Sequence, residues 1–110
     1  MSEYCPNRGD VVWLEFNPQL GHEQAGKRPA LVISQAAYNK KVGLALFYPI
    51  TSQVKGYPFE VKINLKRING VVLADQIKSL DWRARRIEFI EVAPEEILEK
   101  SNEKLGWLLE

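Results

Sequence analysis

Short apolar segments alternate with turn residues over most of the chain, and this spacing is the feature that most limits the possible folds. Strands are expected at residues 11–16, 30–34, 44–50, 57–63, 70–79 and 87–92. These segments are rich in β-branched and aromatic residues, and Gly, Pro or Asn often stands beside them. Strands this short, joined by frequent turns, favour a small, strongly bent sheet or barrel.

The C-terminal segment is predicted to form a helix. Pro94 suits a first helical position, and Glu95 and Glu96 complement the positive end of the helix dipole. The apolar residues that fall near one face of this helix are Ile97, Leu98, Leu105, Leu108 and Leu109. Residues 36–41 are expected to form only one helical turn before Gly43. We therefore predict one barrel-like α+β domain over residues 1–110.

Composition and charge exclude several classes of protein. A net charge of +1 means that any nucleic-acid binding must come from local clusters of cations. The single cysteine, Cys5, and the single histidine, His22, exclude an internal disulfide and a zinc site built from Cys and His. No apolar run reaches the roughly 18 residues that span a bilayer, and the N-terminus lacks signal-peptide features. A cytoplasmic protein is expected.

Residues 21–34 join a polar, glycine-bracketed loop to an apolar strand. Residues 19–27 show no periodicity and are expected to be a mobile loop. The Arg28–Pro29 bond favours an extended conformation at Arg28, so this side chain should leave the start of the strand in a defined direction. Functional groups are often presented in this way, by a loop on a rigid scaffold.

Several segments carry a resemblance to a known family. They are GDVVW at 9–13, EQAGKRPALV at 23–32, PITSQ at 49–53, KGYPF at 55–59 and LADQIKS at 73–79. Together, and in this order, they resemble the MazF/PemK family of toxin endoribonucleases. The resemblance implies an SH3-like small β-barrel of about five to seven strands with a C-terminal helix, and a homodimer. It also implies a cognate antitoxin with an acidic, partly disordered C-terminal segment.

The activity implied by the resemblance is sequence-selective cleavage of single-stranded RNA, such as messenger RNA, with no metal or cofactor. In this reaction the ribose 2′-OH attacks the adjacent phosphate, leaving a 2′,3′-cyclic phosphate and a 5′-hydroxyl. Such a reaction needs a proton acceptor, a proton donor and groups that stabilise charge on the phosphorane. A mechanism with two histidines is excluded because only His22 is present, and no carboxylate cluster for two metal ions is recognisable.

Arg28 and Thr51 correspond to the catalytic arginine and threonine of the family. A guanidinium matches phosphate oxygens and stays protonated at neutral pH, so a charge-stabilising role for Arg28 is easier to assign than a general-base role. Glu23 is the third catalytic candidate, and two roles remain open for it. It could accept the hydroxyl proton, or it could orient Arg28 through a salt bridge. His22 is interpreted as a solvated loop residue.

The remaining candidates offer phosphate contacts, hydrogen bonds to base edges and, in one case, an aromatic ring for stacking. The predicted RNA-binding residues are Gln24, Lys27, Asn39, Ser52, Gln53, Lys55, Tyr57, Asp75, Gln76 and Lys78. Tyr57 supplies the ring. An alternative function stays open, namely an SH3-like module that binds RNA or a peptide without cleaving it.

Overall fold

A curled antiparallel sheet forms the body of the protein, as seen in a computed structural model that describes residues 3–16 and 27–110. The strands are β1 (Asp10–Glu15), β2 (Lys27–Val32), β3 (Ala45–Thr51), β4 (Glu60–Asn64), β5 (Asn69–Leu73), β6 (Lys78–Leu80) and β7 (Glu88–Val92). The helices are α1 (Ala36–Val42) and α2 (Glu95–Leu109), and a 3₁₀ turn covers Trp82–Ala84. The prediction of a small barrel-like sheet with a C-terminal helix is confirmed.

The central strands are apolar because both faces of the sheet are covered. The strand order is β4-β5-β3-β2-β1-β7, and β6 pairs with the first half of β3. Successive residues of β2 and β3 enter different clusters: Leu31 and Tyr48 pack in one, whereas Val32 and Phe47 pack in the other. Val11 and Val12 of β1 are likewise buried in opposite clusters, because successive residues of a strand face opposite sides of the sheet. The pairing of β1 with β7 shifts register between these two residues.

Strand β3 changes its partner along its length. Residues 45–47 pair with β6, whereas Ile50 and Thr51 pair with β5. Pro49, which has no N–H to donate, lies in the gap between the two sets of pairs. Strand β3 is internal to the sheet, and Pro49 lies where its pairing changes from β6 to β5.

One predicted strand, at residues 70–79, is divided into β5 and β6. The Gln76 N–H donates to the Leu73 carbonyl at 3.1 Å and closes a turn between the two strands. The division is needed because β5 pairs with the end of β3 and β6 with its beginning. Sequence alone did not show this change of direction, since the residues on both sides of the turn are suited to strands.

A side chain joins the two ends of the curled sheet. Strands β4 and β7 are the outer strands of the sheet order, yet the Arg67 N–H, in the turn between β4 and β5, donates to Glu91 Oε2 on β7 at 2.8 Å. The same turn is closed by a hydrogen bond from the Leu65 N–H to the Ile68 carbonyl at 2.7 Å. The β4–β5 turn is therefore fixed against β7.

Helix α2 packs against the cluster that contains Leu31 and Tyr48. It contributes Leu98, which is 1% exposed, together with the half-buried Ile97 and Leu105. The Tyr48 hydroxyl donates to Asn102 Oδ1 at 2.8 Å, and burial raises the pKa of Tyr48 to about 12, so this donor stays protonated at neutral pH. Leu108 and Leu109, predicted on the packed face, are exposed instead. Among the described residues, no helix is long and apolar enough to cross a membrane.

Helix α1 is longer than predicted because Asn39 anchors it. The Asn39 side chain is 0% exposed. Its Nδ2 donates to the carbonyls of Pro6 and Ser34 at 2.8 and 3.0 Å, and its Oδ1 accepts a hydrogen bond from the Ser34 hydroxyl at 2.6 Å. Gly43, at φ 83°, then ends the helix in the left-handed conformation that glycine adopts most easily. The predicted role of Asn39 in RNA binding does not fit this buried, fully bonded side chain, and we assign it a structural role.

The Asn39→Ala variant should be destabilised by about 2–4 kcal/mol, because it leaves buried carbonyl groups without donors. Chemical denaturation of the purified variant measures this change. Asn64→Ala is the matched control, since Asn64 is exposed on β4 and its replacement should change stability by less than about 0.5 kcal/mol. Equal stability of the two variants would contradict the structural role of Asn39.

Candidate active site

The pairing of β2 with β3 brings Arg28 and Thr51 together. The observed pairs are Ala30 with Pro49, Leu31 with Tyr48 and Val32 with Phe47. Continuing this antiparallel register places Arg28 opposite Thr51, where side chains share one face of a sheet. Residues 23 positions apart in sequence thus become neighbours across two strands.

Arg28 and Thr51 line one open cleft of about 580 Å³. The polar lining also includes Ser52 and Gln53, which follow Thr51 directly. Arg67, from the β4–β5 connection, and Asn69, at the start of β5, complete it. Apolar walls are formed by Trp13, Pro29, Ile50 and Ile68. The structure therefore brings together four of the residues predicted from sequence: Arg28, Thr51, Ser52 and Gln53.

The Thr51 hydroxyl is oriented by the backbone that follows it. Thr51 Oγ1 accepts a hydrogen bond from the Gln53 N–H at 3.1 Å, which is the geometry of a turn closed by a threonine side chain. Because the oxygen acts as the acceptor, the hydroxyl proton remains free to be donated. Thr51 is half-buried at the end of β3, so its hydroxyl can donate to a group that enters the cleft.

Among the residues that the structure describes, no carboxylate forms a salt bridge with the arginines of the cleft. Within residues 3–16 and 27–110, neither Arg28 nor Arg67 forms a salt bridge. Lys27 differs, because its Nζ lies 2.7 Å from Glu88 Oε1 on β7, and this hydrogen bond lowers the pKa of Glu88. In the same described ranges, no three His, Cys, Asp or Glu side chains are grouped closely enough to hold a metal ion.

A second cavity, of about 510 Å³, adjoins the cleft and shares Asn69 with it. It is lined by Tyr57, Glu60 and Lys62 together with apolar side chains of Val54, Ile63 and Val71. The Glu60 carboxylate holds the loop above this cavity, because it accepts the N–H groups of Lys55 and Gly56, both at 2.9 Å. The cleft and the second cavity are therefore adjacent, with Asn69 in the lining of both.

Tyr57, which lines the second cavity, forms a pair with Asp75. The Tyr57 hydroxyl donates to Asp75 Oδ1 at 2.6 Å, and this hydrogen bond raises the pKa of Tyr57. Tyr57 therefore stays protonated and is a poor candidate for a general base. Neither Asp75 nor the exposed Gln76 lines the cleft that contains Arg28.

Other predicted residues lie elsewhere or outside the described ranges. Lys78 pairs with Phe47, four positions before Thr51 on β3, which places it roughly 13 Å along the strand. Glu23, Gln24 and His22, and most of the predicted loop at 19–27, are not among the described residues.

Sequence reasoning missed several residues of the cleft. Trp13 is half-buried; it packs against the cluster that contains Leu31 and Tyr48, and it also forms a wall of the cleft, a role that was not predicted. Arg67 lies in the β4–β5 turn and Asn69 follows it at the start of β5. Neither was singled out, because the position of this turn depends on the contact with Glu91. The alternation of buried Val12 and Leu14 around Trp13 was the one available signal, since it turns Trp13 away from the cluster containing those two residues.

Comparisons with known proteins identify the family to which this chain is similar. A family model described as "PemK-like, MazF-like toxin of type II toxin-antitoxin system" matches residues 7–109. The chain is 51% identical over 98 residues to the endoribonuclease toxin MazF of Escherichia coli K12, covering 88% of each chain.

Two solved structures are also similar to this chain in sequence and fold. MazF of Deinococcus radiodurans is 54% identical, with a TM-score of 0.87 and coverage of 97% of this chain and 98% of that chain. A MazE–MazF complex from the same organism contains a chain that is 48% identical, with a TM-score of 0.86 and 97% coverage of both chains. The family match spans most of the chain, and the solved structures share its fold. The protein belongs to the PemK-like, MazF-like toxin family of type II toxin–antitoxin systems.

Proposed function

We propose that this protein is a toxin endoribonuclease that cleaves single-stranded messenger RNA in the cytoplasm without a metal ion. The observation that carries the proposal is the shared cleft of Arg28 and Thr51, in which a permanent cation and an oriented hydroxyl face the same space. The names of the similar proteins, endoribonuclease toxins among them, support the assignment to an enzyme. The chain is proposed to act as one domain over residues 1–110.

The cleft supplies the charge stabilisation that the reaction needs. Attack by the ribose 2′-OH converts the phosphate to a phosphorane with additional negative charge on its oxygens. The Arg28 guanidinium can bind two of these oxygens in a forked arrangement, while the Thr51 hydroxyl donates to another. The bond from phosphorus to the 5′-oxygen then breaks, which yields a 2′,3′-cyclic phosphate and, after protonation, a 5′-hydroxyl.

The proton acceptor is proposed to come from the segment that precedes β2. Glu23 lies five positions before Arg28 and is the carboxylate predicted from sequence for this role. Both predicted roles of Glu23 are kept: accepting the 2′-OH proton, or orienting Arg28. The second role is consistent with the lack of a carboxylate partner for Arg28 within residues 3–16 and 27–110.

Thr51→Val should lower the rate constant of cleavage by about 10- to 100-fold, because valine keeps the shape of the side chain but cannot donate a hydrogen bond. Thr51→Ser, which keeps the hydroxyl, should retain activity within about tenfold of the wild type. Single-turnover cleavage of a short RNA measures both variants. If valine and serine gave the same rate, the hydroxyl would have no part in the reaction.

Two changes of condition test the proposed chemistry. Cleavage of a long single-stranded RNA should continue in excess EDTA, because the proposed reaction needs no metal ion. Replacing the ribose at a mapped cleavage site by deoxyribose removes the attacking 2′-OH and should abolish cleavage at that site only. Loss of activity in EDTA would overturn the metal-free reaction. RNA binding with no cleavage under any condition would instead favour a non-catalytic SH3-like binding module.

The proposed partners are RNA, a second copy of the chain and a cognate antitoxin. The related MazE–MazF complexes support the antitoxin. We expect its acidic, partly disordered C-terminal segment to cover the cationic cleft, because opposite charges favour this placement. Acidic tail peptides should then inhibit RNA cleavage, and failure to inhibit would contradict this mode of binding. The homodimer is proposed from the family resemblance.

A further inference from the structure

The cleft contains a second arginine that the chemistry above does not use. Arg67 lines the same cleft as Arg28 and Thr51 but enters it from the connection between β4 and β5, whereas Arg28 enters it from β2. In the sheet order these elements lie on opposite sides of β3, which carries Thr51. The two cations therefore flank the catalytic hydroxyl.

The backbone of Arg67 is held in place before any ligand binds. Its N–H donates to Glu91 Oε2 at 2.8 Å, and the next residue, Ile68, is 6% exposed and packs in the core. The bond between Leu65 and Ile68 closes the same turn. Only the side chain of Arg67 remains to be ordered when a ligand binds, which reduces the entropy lost on binding.

Among the described residues, the Arg67 guanidinium has no polar or charged partner. Over residues 3–16 and 27–110, its guanidinium forms neither a salt bridge nor a side-chain hydrogen bond, although Arg8, Arg83 and Arg85 each form at least one such bond. Two guanidinium groups at one cleft raise its positive potential and attract anions. The anions that recur along an RNA chain are its phosphodiesters, which bind arginine strongly.

We infer that Arg67 binds an RNA phosphate next to the scissile one and so sets the register of the RNA chain across Thr51. This inference rests on the proposed function, because it assigns the scissile phosphate to Arg28 and Thr51. In this arrangement Arg28 stabilises the reacting phosphate, and Arg67 contributes to affinity and position. Arg67 is thus a binding residue and takes no part in bond breaking.

The test compares Arg67→Ala with Lys66→Ala. Lys66 is the adjacent residue, is exposed and does not line the cleft, so its replacement removes the same charge from the same turn. Binding is measured with an RNA carrying deoxyribose at the cleavage site, over a range of salt concentrations. Arg67→Ala should raise Kd about tenfold and reduce the slope of log K against log salt by about 0.7, the value for one contact with single-stranded nucleic acid. Lys66→Ala should change Kd less than about twofold.

The outcomes separate this inference from the proposed function. If both variants bind RNA alike, or if the salt slope of Arg67→Ala equals that of the wild type, the inference is overturned. If the wild type fails to cleave the all-ribose RNA, the proposed function fails instead. Arg67→Lys should restore most of the salt slope, because lysine supplies the charge without the forked geometry. Thermal unfolding of each variant checks that the fold is intact.

Discussion

Arg28→Ala is expected to lower the rate constant of RNA cleavage by about 10²–10³-fold, the usual loss when one donor to a developing oxyanion is removed. The structural reason is the position of Arg28 across from Thr51, in a cleft where no described carboxylate competes for it. Arg28 is exposed, so the substitution removes no core packing and should leave the unfolding temperature nearly unchanged. Single-turnover kinetics with enzyme in excess measure the rate constant directly.

Arg86→Ala is the control for Arg28→Ala. The Arg86 side chain is 79% exposed and lies 3.8 Å from the Glu15 carboxylate. Arg86 does not line the cleft, so its replacement removes the same charge from outside the site. We expect wild-type cleavage from Arg86→Ala. Cleavage by Arg28→Ala at the rate of Arg86→Ala would mean that Arg28 serves only the general charge of the surface.

Gly70→Ala is expected to reduce cleavage about 100-fold and to destabilise the fold by about 1–3 kcal/mol. Gly70 lies on β5, where the backbone passes very close to the end of β3. A Cβ atom at position 70 would stand 2.2 Å from the Thr51 carbonyl oxygen and 3.1 Å from the Ser52 Cα. The φ angle of Gly70, 154°, is also one that residues with side chains rarely adopt.

A side chain at position 70 must therefore displace the backbone of Thr51 and Ser52. Movement of about 1 Å at a catalytic group is enough to lower a rate constant about 100-fold. Gly106→Ala is the matched control, because a Cβ at this position in helix α2 meets nothing within 4 Å. It should keep wild-type cleavage and raise stability by about 0.5–1 kcal/mol, as expected for alanine in a helix. Wild-type cleavage by Gly70→Ala would show that the close approach of β5 does not position Thr51.

Local patterns in the sequence were sufficient to predict most of the strands and the C-terminal helix. The apolar runs of β1, β3 and β7 and the Pro94-Glu95-Glu96 helix start depend on neighbouring residues alone. Features that depend on distant residues were missed. The burial of Asn39 requires Pro6 and Ser34, and the division between β5 and β6 requires two separate pairings with β3.

The candidate site, too, depends on contacts between distant residues, which local sequence patterns do not predict. Arg28 and Thr51 were assigned through the family resemblance, and their proximity depends on the register between β2 and β3, which local composition does not specify. Arg67 was missed because its place in the cleft depends on the closure of the curled sheet by Glu91. The prediction for Glu23 rests on residues outside the described ranges and stays a prediction.

The most direct test of the central claim is to map both ends of every cut that the purified protein makes in a defined single-stranded transcript, in excess EDTA. If Arg28 and Thr51 promote attack by the 2′-OH, every cut will carry a 2′,3′-cyclic phosphate on one fragment and a 5′-hydroxyl on the other, and the Arg28→Ala protein will make almost no cuts. Fragments that end in a 3′-hydroxyl and a 5′-phosphate would contradict the account, because attack by the 2′-OH cannot produce them.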